Sequence, residues 1–175
     1  TVVINALTER KGVKVGLITT DGFRDSLEIA RGNRPDFFNL HYEKPKPFVP
    51  RYLRRELPGR FNYHGQEMVP LDLTGLPEIL DDFRADGVQA IAVCFIHSYA
   101  NPSHEQATIA EIKLLWPEIA TVASHQITRE WREYERTSTA VLSAYVQPTA
   151  ERYLTRLADG LKDRGFDGNL FIMQS

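Results

Sequence analysis

The stretch VKVGLIT places apolar side chains at close to every second position, the spacing of a β-strand over residues 13–19. A shorter helical pattern precedes it over 2–10, and Gly12 of the Lys11-Gly12 pair supplies a stop for that helix. Thr20-Asp21-Gly22 then marks a turn, with Thr20 or Asp21 able to cap a short helix over 24–30. Pro35, Pro45, Pro47 and Pro50 predict an extended, irregular surface connection from 35 to 54. Residues 60–70 read as a hairpin turning at Gly65-Gln66.

Helical spacing returns over 73–86, where Leu76, Ile79, Leu80 and Phe83 share one face and Gly87 ends the element. VQAIAVCFI, residues 88–96, is almost wholly apolar, as a strand covered on both faces must be. Asn101-Pro102-Ser103 opens another helix, which ends before Pro117, and 119–124 is a further short strand. This strand–helix–strand order is that of a βαβ crossover. Two helices follow, over 129–145 and 148–164, with a break expected near Val146-Gln147-Pro148, and a last strand is expected after Gly165 and Gly168. The fold class is therefore α/β, with a mixed sheet, a βαβ crossover and a long C-terminal helical segment.

Composition narrows the function. The 175 residues suit one domain or lobe, and a net charge of −2 disfavours a nucleic acid or an anionic membrane as partner. No apolar run approaches the ~20 residues of a membrane span. A single cysteine, Cys94, excludes an internal disulfide and suits the cytoplasm. Both ends are apolar where domain ends are ordinarily polar, so the chain reads as part of a longer polypeptide.

The segment SHQITREWREYERTSTAVLSAYVQP is chemically uneven, with arginines first and hydroxyls after them. At about 100° per residue, Trp131, Tyr134, Ser138, Val141, Leu142 and Tyr145 form a core-facing stripe. Arg132, Arg136, Thr139 and Ser143 fall opposite, with Arg129 close by. That second face is either solvated or lines a cleft, where arginine forks hold carboxylate or phosphate. Two further groups carry candidate chemistry. Cys94, His97 and His104 offer thiolate and imidazole ligands for zinc, with Asp72, His64 or His125 as a fourth, against the alternative of a buried thiol and two loop histidines. Thr20, Arg24 and Asp25 sit in a strand-to-helix turn able to hold an anion, or simply capped. No phosphate-binding loop, dinucleotide fingerprint or nucleophile elbow occurs.

Taken in order, NALTERKG (5–12), GLITTDGFRDSLEIARGNRPDFFNL (16–40), KPFVPRYLRREL (46–57), EYERTSTAVLSAYVQP (133–148) and LFIMQS (170–175) resemble the N-terminal region of the hydantoinase A/5-oxoprolinase family. Acetone-carboxylase-type β subunits belong to the same family, and PFVPRYLRREL is nearer the hydantoinase A branch. The resemblance implies a fragment of an ATPase unit similar to actin and sugar kinases. It also implies ATP and Mg²⁺, bound mainly outside these residues, and phosphorylation of a carbonyl oxygen that makes a cyclic amide such as hydantoin, N-methylhydantoin or 5-oxoproline hydrolysable. The alternatives it leaves are a ketone-carboxylase β subunit or a non-catalytic docking module. The implied partner is a hydantoinase B-type subunit or a C-terminal half. The family's phosphate loop lies upstream of Thr1 and its second nucleotide lobe after Ser175, so these residues alone are expected to be inactive. On this reading Arg136, Thr137, Ser138 and Thr139 line or shape the cleft, Glu135 orients Arg136, and Thr20, Arg24 and Asp25 lie near the phosphates.

Overall fold

In the computed structural model, residues 2–32, 36 and 38–171 are described. The chain runs α1 (Val2–Thr8), β1 (Val15–Thr20), α2 (Ser26–Ile29), a 3-10 turn (Arg51–Leu53), β2 (Arg54–Leu57), β3 (Arg60–Phe61) and β4 (Glu67–Val69). It continues through α3 (Leu76–Ala85), β5 (Ala90–Cys94), α4 (Ser103–Leu115), β6 (Ala120–Ala123), α5 (Ser124–Ile127) and α6 (Glu133–Lys162). Four strands make a wholly parallel sheet in the order β2-β1-β5-β6. Antiparallel pairing is confined to the separate β3–β4 hairpin, so the two pairing modes divide between two sheets instead of mixing in one. β5, α4 and β6 form the expected βαβ unit.

The apolar run of β5 is buried at every position because helices cover both faces of the sheet. Leu76, Leu80 and Phe83 of α3 and Ile112 of α4 are fully buried, and α6 lies against β5 and β6. Gly16 in β1 has a packing reason: a Cβ there would stand 2.5 Å from the buried Phe83 ring.

Several expectations change. The break at Pro148 does not occur, and α6 is one continuous helix with the proline inside it. Proline gives no N–H to the carbonyl four residues back, and its ring loosens the local ladder. The neighbouring Tyr145 carbonyl is used by the Val13 N–H at 3.1 Å, so the site serves as an attachment point for the chain entering β1. α1 is closed by Arg10, at φ 51°, with Lys11 N–H on Ala6 O and Arg10 N–H on Leu7 O. Gly12 instead leaves room for the Tyr145 ring. β2 begins where irregular chain was expected to end, and the polar look of its RREL sequence concealed it. The expected last strand lies mostly at 172–175, outside the described residues, and 169–171 form no strand.

The faces of α6 differ most from the periodicity reading. Its buried residues are Arg136, Thr137, Ala140, Val141, Ala144 and Tyr145. Trp131 is exposed, and of the expected stripe only Val141 and Tyr145 are buried. Thr137, Ala140 and Ala144 are small because they let the helix backbone sit close to β5 and β6.

Candidate functional site

β1, β5 and β6 deliver their C-terminal ends to one edge of the sheet. Chain direction along the sheet reverses there, since β2 lies on one side of β1 and β5 on the other. Open parallel sheets place their crevice at such a switch point.

Buried polar side chains tie this edge together. The Thr19 hydroxyl donates to Cys94 O at 2.8 Å, and Ile96 N–H donates to the Thr20 hydroxyl at 3.0 Å. Glu105, from the first turn of α4, is wholly buried. Its Oε1 accepts from Phe95 N–H at 2.9 Å and from the Ser124 hydroxyl at 2.6 Å. Its Oε2 accepts from His125 N–H at 3.0 Å and lies 2.6 Å from His125 Nδ1. Ser98 Oγ, also buried, lies 3.1 Å from Ser124 Oγ. Four donors on one carboxylate offset the cost of burying its charge.

Arg136 faces the same segment from α6. Its guanidinium is fully buried and donates from Nη2 to Phe95 O and from Nη1 to Glu130 O, each at 2.8 Å. It also lies 5.6 Å from the centre of the Tyr99 ring. Glu105 thus holds the N–H of Phe95 while Arg136 holds its carbonyl. Opposite charges on two helices grip one residue at the exit of β5. Two residues on, His97 adopts φ 58° and re-aims the chain.

The other expected residues are distributed. Thr137 is buried with Oγ1 3.2 Å from Cys94 Sγ. Thr139 is exposed and bonds back to Glu135 O, and Ser138 borders a cavity of about 190 Å³ with Tyr134 and Leu142. Glu135 does not orient Arg136, whose Nη donors go to backbone carbonyls; it pairs instead with Arg31 at 2.5 Å. Arg24 pairs with Glu56, and Asp25 takes a two-pronged bond from Arg51. That bond, with the charges of Arg51, Arg24 and Arg54, holds the Asp25 carboxyl below the usual range. Arg54 of β2 is buried and reaches Val49 O and Glu28, a constellation that helical and strand spacing did not disclose.

Zinc does not fit the residues expected to bind it. Cys94 turns toward Thr137, His97 Nδ1 lies 3.2 Å from the Tyr99 hydroxyl, and His104 lies 2.7 Å from Glu67 and stacks on Phe61. His125 is taken by Glu105. Among the described residues no group of three or more His, Cys, Asp and Glu side chains could hold a metal ion. Burial and the Glu105 charge push the Cys94 thiol up, away from the thiolate a metal needs.

The polar groups at the end of β1 are engaged within the chain. Thr19 and Thr20 are committed to backbone groups, and Arg24 and Asp25 to ion pairs. An open concavity of about 480 Å³ is lined by Arg60, Phe61, Asn62, Tyr63 of the hairpin region and by His97. Burial first, then the positive charges of Arg136 and Arg60, lower the His97 pKa.

This α/β switch-point edge is the architecture of a known class. Residues 1–114 match the hydantoinase/oxoprolinase N-terminal region, and the chain belongs to that family. It is 43% identical over 159 residues to caprolactamase subunit alpha of Pseudomonas jessenii, covering 90% of this chain and 23% of that one. The crystal structure of the ATP-dependent caprolactamase from Pseudomonas jessenii superposes with a TM-score of 0.90 at 40% identity, over 97% of this chain and 25% of the other. A nucleotide-free acetone carboxylase structure gives 0.80 at 26% identity, over 94% and 25%. The chain therefore spans about a quarter of the length of these relatives. No helix among the described residues is long and apolar enough to cross a membrane.

Proposed function

We propose that this chain is the N-terminal lobe of a cytoplasmic, ATP-dependent enzyme that opens a cyclic amide by phosphorylating its carbonyl oxygen. The supporting observation is its likeness, in sequence and in fold, to an ATP-dependent caprolactamase. ATP, with Mg²⁺, is held mainly by parts of the longer polypeptide, since the hydroxyls and charges at the end of β1 are already committed. ATP supplies the phosphoryl group that makes the amide carbon electrophilic. What these residues contribute is shape: Arg136, Thr137 and Glu105 fix the exit of β5, and with it the wall of the cleft. A hydantoinase B-type subunit or a C-terminal half completes the enzyme.

The test is ATP turnover by the full-length polypeptide with its partner, supplied with hydantoin, N-methylhydantoin, 5-oxoproline or caprolactam. Stimulation by at least one cyclic amide is the expected result, and none by any would refute the hydrolase reading. The likeness to acetone carboxylase supports a second reading, a carboxylase β subunit. In that case acetone or acetophenone with bicarbonate drives ATP turnover and cyclic amides do not.

A further inference from the structure

The Glu105 carboxylate is used in an uneven way. Phe95 N–H and the Ser124 hydroxyl satisfy Oε1, while Oε2 is given wholly to His125, to its backbone N–H and to its ring. Holding both the backbone and the imidazole of one residue fixes the side-chain torsion as well as the position. It also fixes the tautomer: with the carboxylate on Nδ1, the neutral ring carries its proton there and leaves Nε2 a bare acceptor. Nε2 has no hydrogen-bond partner among the described residues and is not among the enclosed, unpaired atoms, so solvent reaches it. The His125 side chain is 11% exposed and Glu105 is 0% exposed. A buried carboxylate, an oriented imidazole and an outward lone pair are the base-and-orienter pair used for proton transfer in hydrolases. The pair stands just past the end of β6, bonded through Glu105 to the end of β5, on the sheet edge where such folds put their sites.

We propose that His125 is the proton-transfer residue for ring opening and that Glu105 is its positioning residue, a role that rests on the cyclic-amide reading. The substrate class is a water molecule beside an activated amide. Nε2 accepts a proton from water as the O–H bond breaks, and the water oxygen bonds to the amide carbon. Because the carbonyl oxygen carries the phosphoryl group, the C=N π pair moves onto the ring nitrogen. The nitrogen takes the proton from Nε2 as the C–N bond breaks with its electron pair staying on nitrogen, and the new hydroxyl oxygen forms the C=O bond as its proton leaves to solvent. The product is an acyl phosphate, which a second water hydrolyses to carboxylate and inorganic phosphate. The imidazole ends neutral, two waters are consumed for each ATP, and no oxidant or reductant is needed. Between the two transfers the imidazolium lies against the Glu105 carboxylate, which stabilises it.

The experiment uses the full-length polypeptide with its partner and the cyclic amide that gives the highest turnover among hydantoin, 5-oxoproline and caprolactam. His125→Gln is expected to lower amide-stimulated kcat by at least about a hundredfold while the KM for ATP stays within about twofold. In His125→Ala, added imidazoles are expected to restore turnover in proportion to their basicity, which mere refilling of a gap would not produce. Turnover above a tenth of wild type in His125→Gln, or rescue indifferent to basicity, overturns the proposal. Nitrogen NMR of the wild-type histidines gives a readout independent of activity and of the variants' folding. In the neutral form of the His125 ring the proton is expected on Nδ1, and a neutral form protonated on Nε2 overturns the assignment. If the wild type turns over none of these amides, the hydrolase reading fails, and the NMR result alone then decides the Glu105–His125 pairing.

Discussion

Replacing Glu105 by glutamine keeps the shape of the side chain and changes one acceptor into a donor. In the native protein all four contacts of the carboxylate are with donors, and the group is wholly buried. If the new NH₂ faces Phe95 and Ser124, the Ser124 hydroxyl can rotate and accept, and the Phe95 N–H is orphaned. If it faces His125, the ring can switch tautomer and accept, and the His125 N–H is orphaned. Either way one buried backbone N–H loses its partner, at about 1–3 kcal/mol, and the remaining bonds lose their charge assistance, at about 1 kcal/mol more. The expected destabilisation is about 2–4 kcal/mol, a large share of the roughly 5–15 kcal/mol that holds a domain folded. Urea unfolding gives the total. Amide exchange locates it: protection of Phe95 or His125 should fall by roughly 30- to 700-fold, at about 1.4 kcal/mol per decade. A loss below about 1 kcal/mol, with both amides still protected, would refute the view that this carboxylate organises the sheet edge.

Four other outcomes follow from the same contacts. Arg136→Met removes the donors to Phe95 O and Glu130 O and should cost about 2–4 kcal/mol in urea unfolding, with Arg136→Lys intermediate because one ammonium cannot span both carbonyls. Gly16→Ala pushes a methyl into the buried Phe83 ring and should cost about 1–3 kcal/mol by the same assay. Cys94, buried with its thiol pushed up, should resist iodoacetamide at pH 8 in the folded protein and react on unfolding. His97 has its pKa lowered by burial and by Arg136 and Arg60, so the unfolded chain binds its proton first as pH falls. Its contribution to stability is intact above the ordinary histidine pKa of 6.5 and is lost as pH drops from there toward the lower folded value, which proton NMR of the His97 ring should show directly.

Much of the fold was legible because it rests on period and punctuation. The wholly apolar 88–96 became the central strand, Leu76, Ile79, Leu80 and Phe83 became the buried face of α3, and Gly87 ended that helix at φ 70°. The errors fall where a polar residue is buried or an apolar one is not. Arg54 and Arg136 are among the largest fully buried side chains, and a periodicity argument assigns arginine to the surface in both places. β2 was missed and the faces of α6 were misassigned for that one reason. Pro148 misled differently: the helix continues through it, and the carbonyl of neighbouring Tyr145 takes the Val13 N–H, a contact that only the fold supplies.

The site was less legible than the fold because its logic is a network among distant residues and not a motif. Sequence singled out Arg136 and Thr137 as chemically unusual for a helix, and the structure does place them at the sheet edge, but inside it. Their work is done on backbone atoms of Phe95 and on the Cys94 thiol. Glu105 gave no local signal; it looks like one of the two acids, with Glu111, along α4. Its first-turn position on α4 becomes meaningful only when β5 and β6 end beside it and bring Phe95, Ser124 and His125 within reach. The two buried ions then divide the labour: the cation on α6 and the anion on α4 grip opposite poles of Phe95. A loop held at both its N–H and its carbonyl cannot drift without breaking a charge-assisted bond. Under the proposed function the edge presents a reacting group at a fixed place, against ATP held by another part of the polypeptide, and that restraint serves it. It accounts for arginine and hydroxyls standing where a helix would otherwise carry leucine.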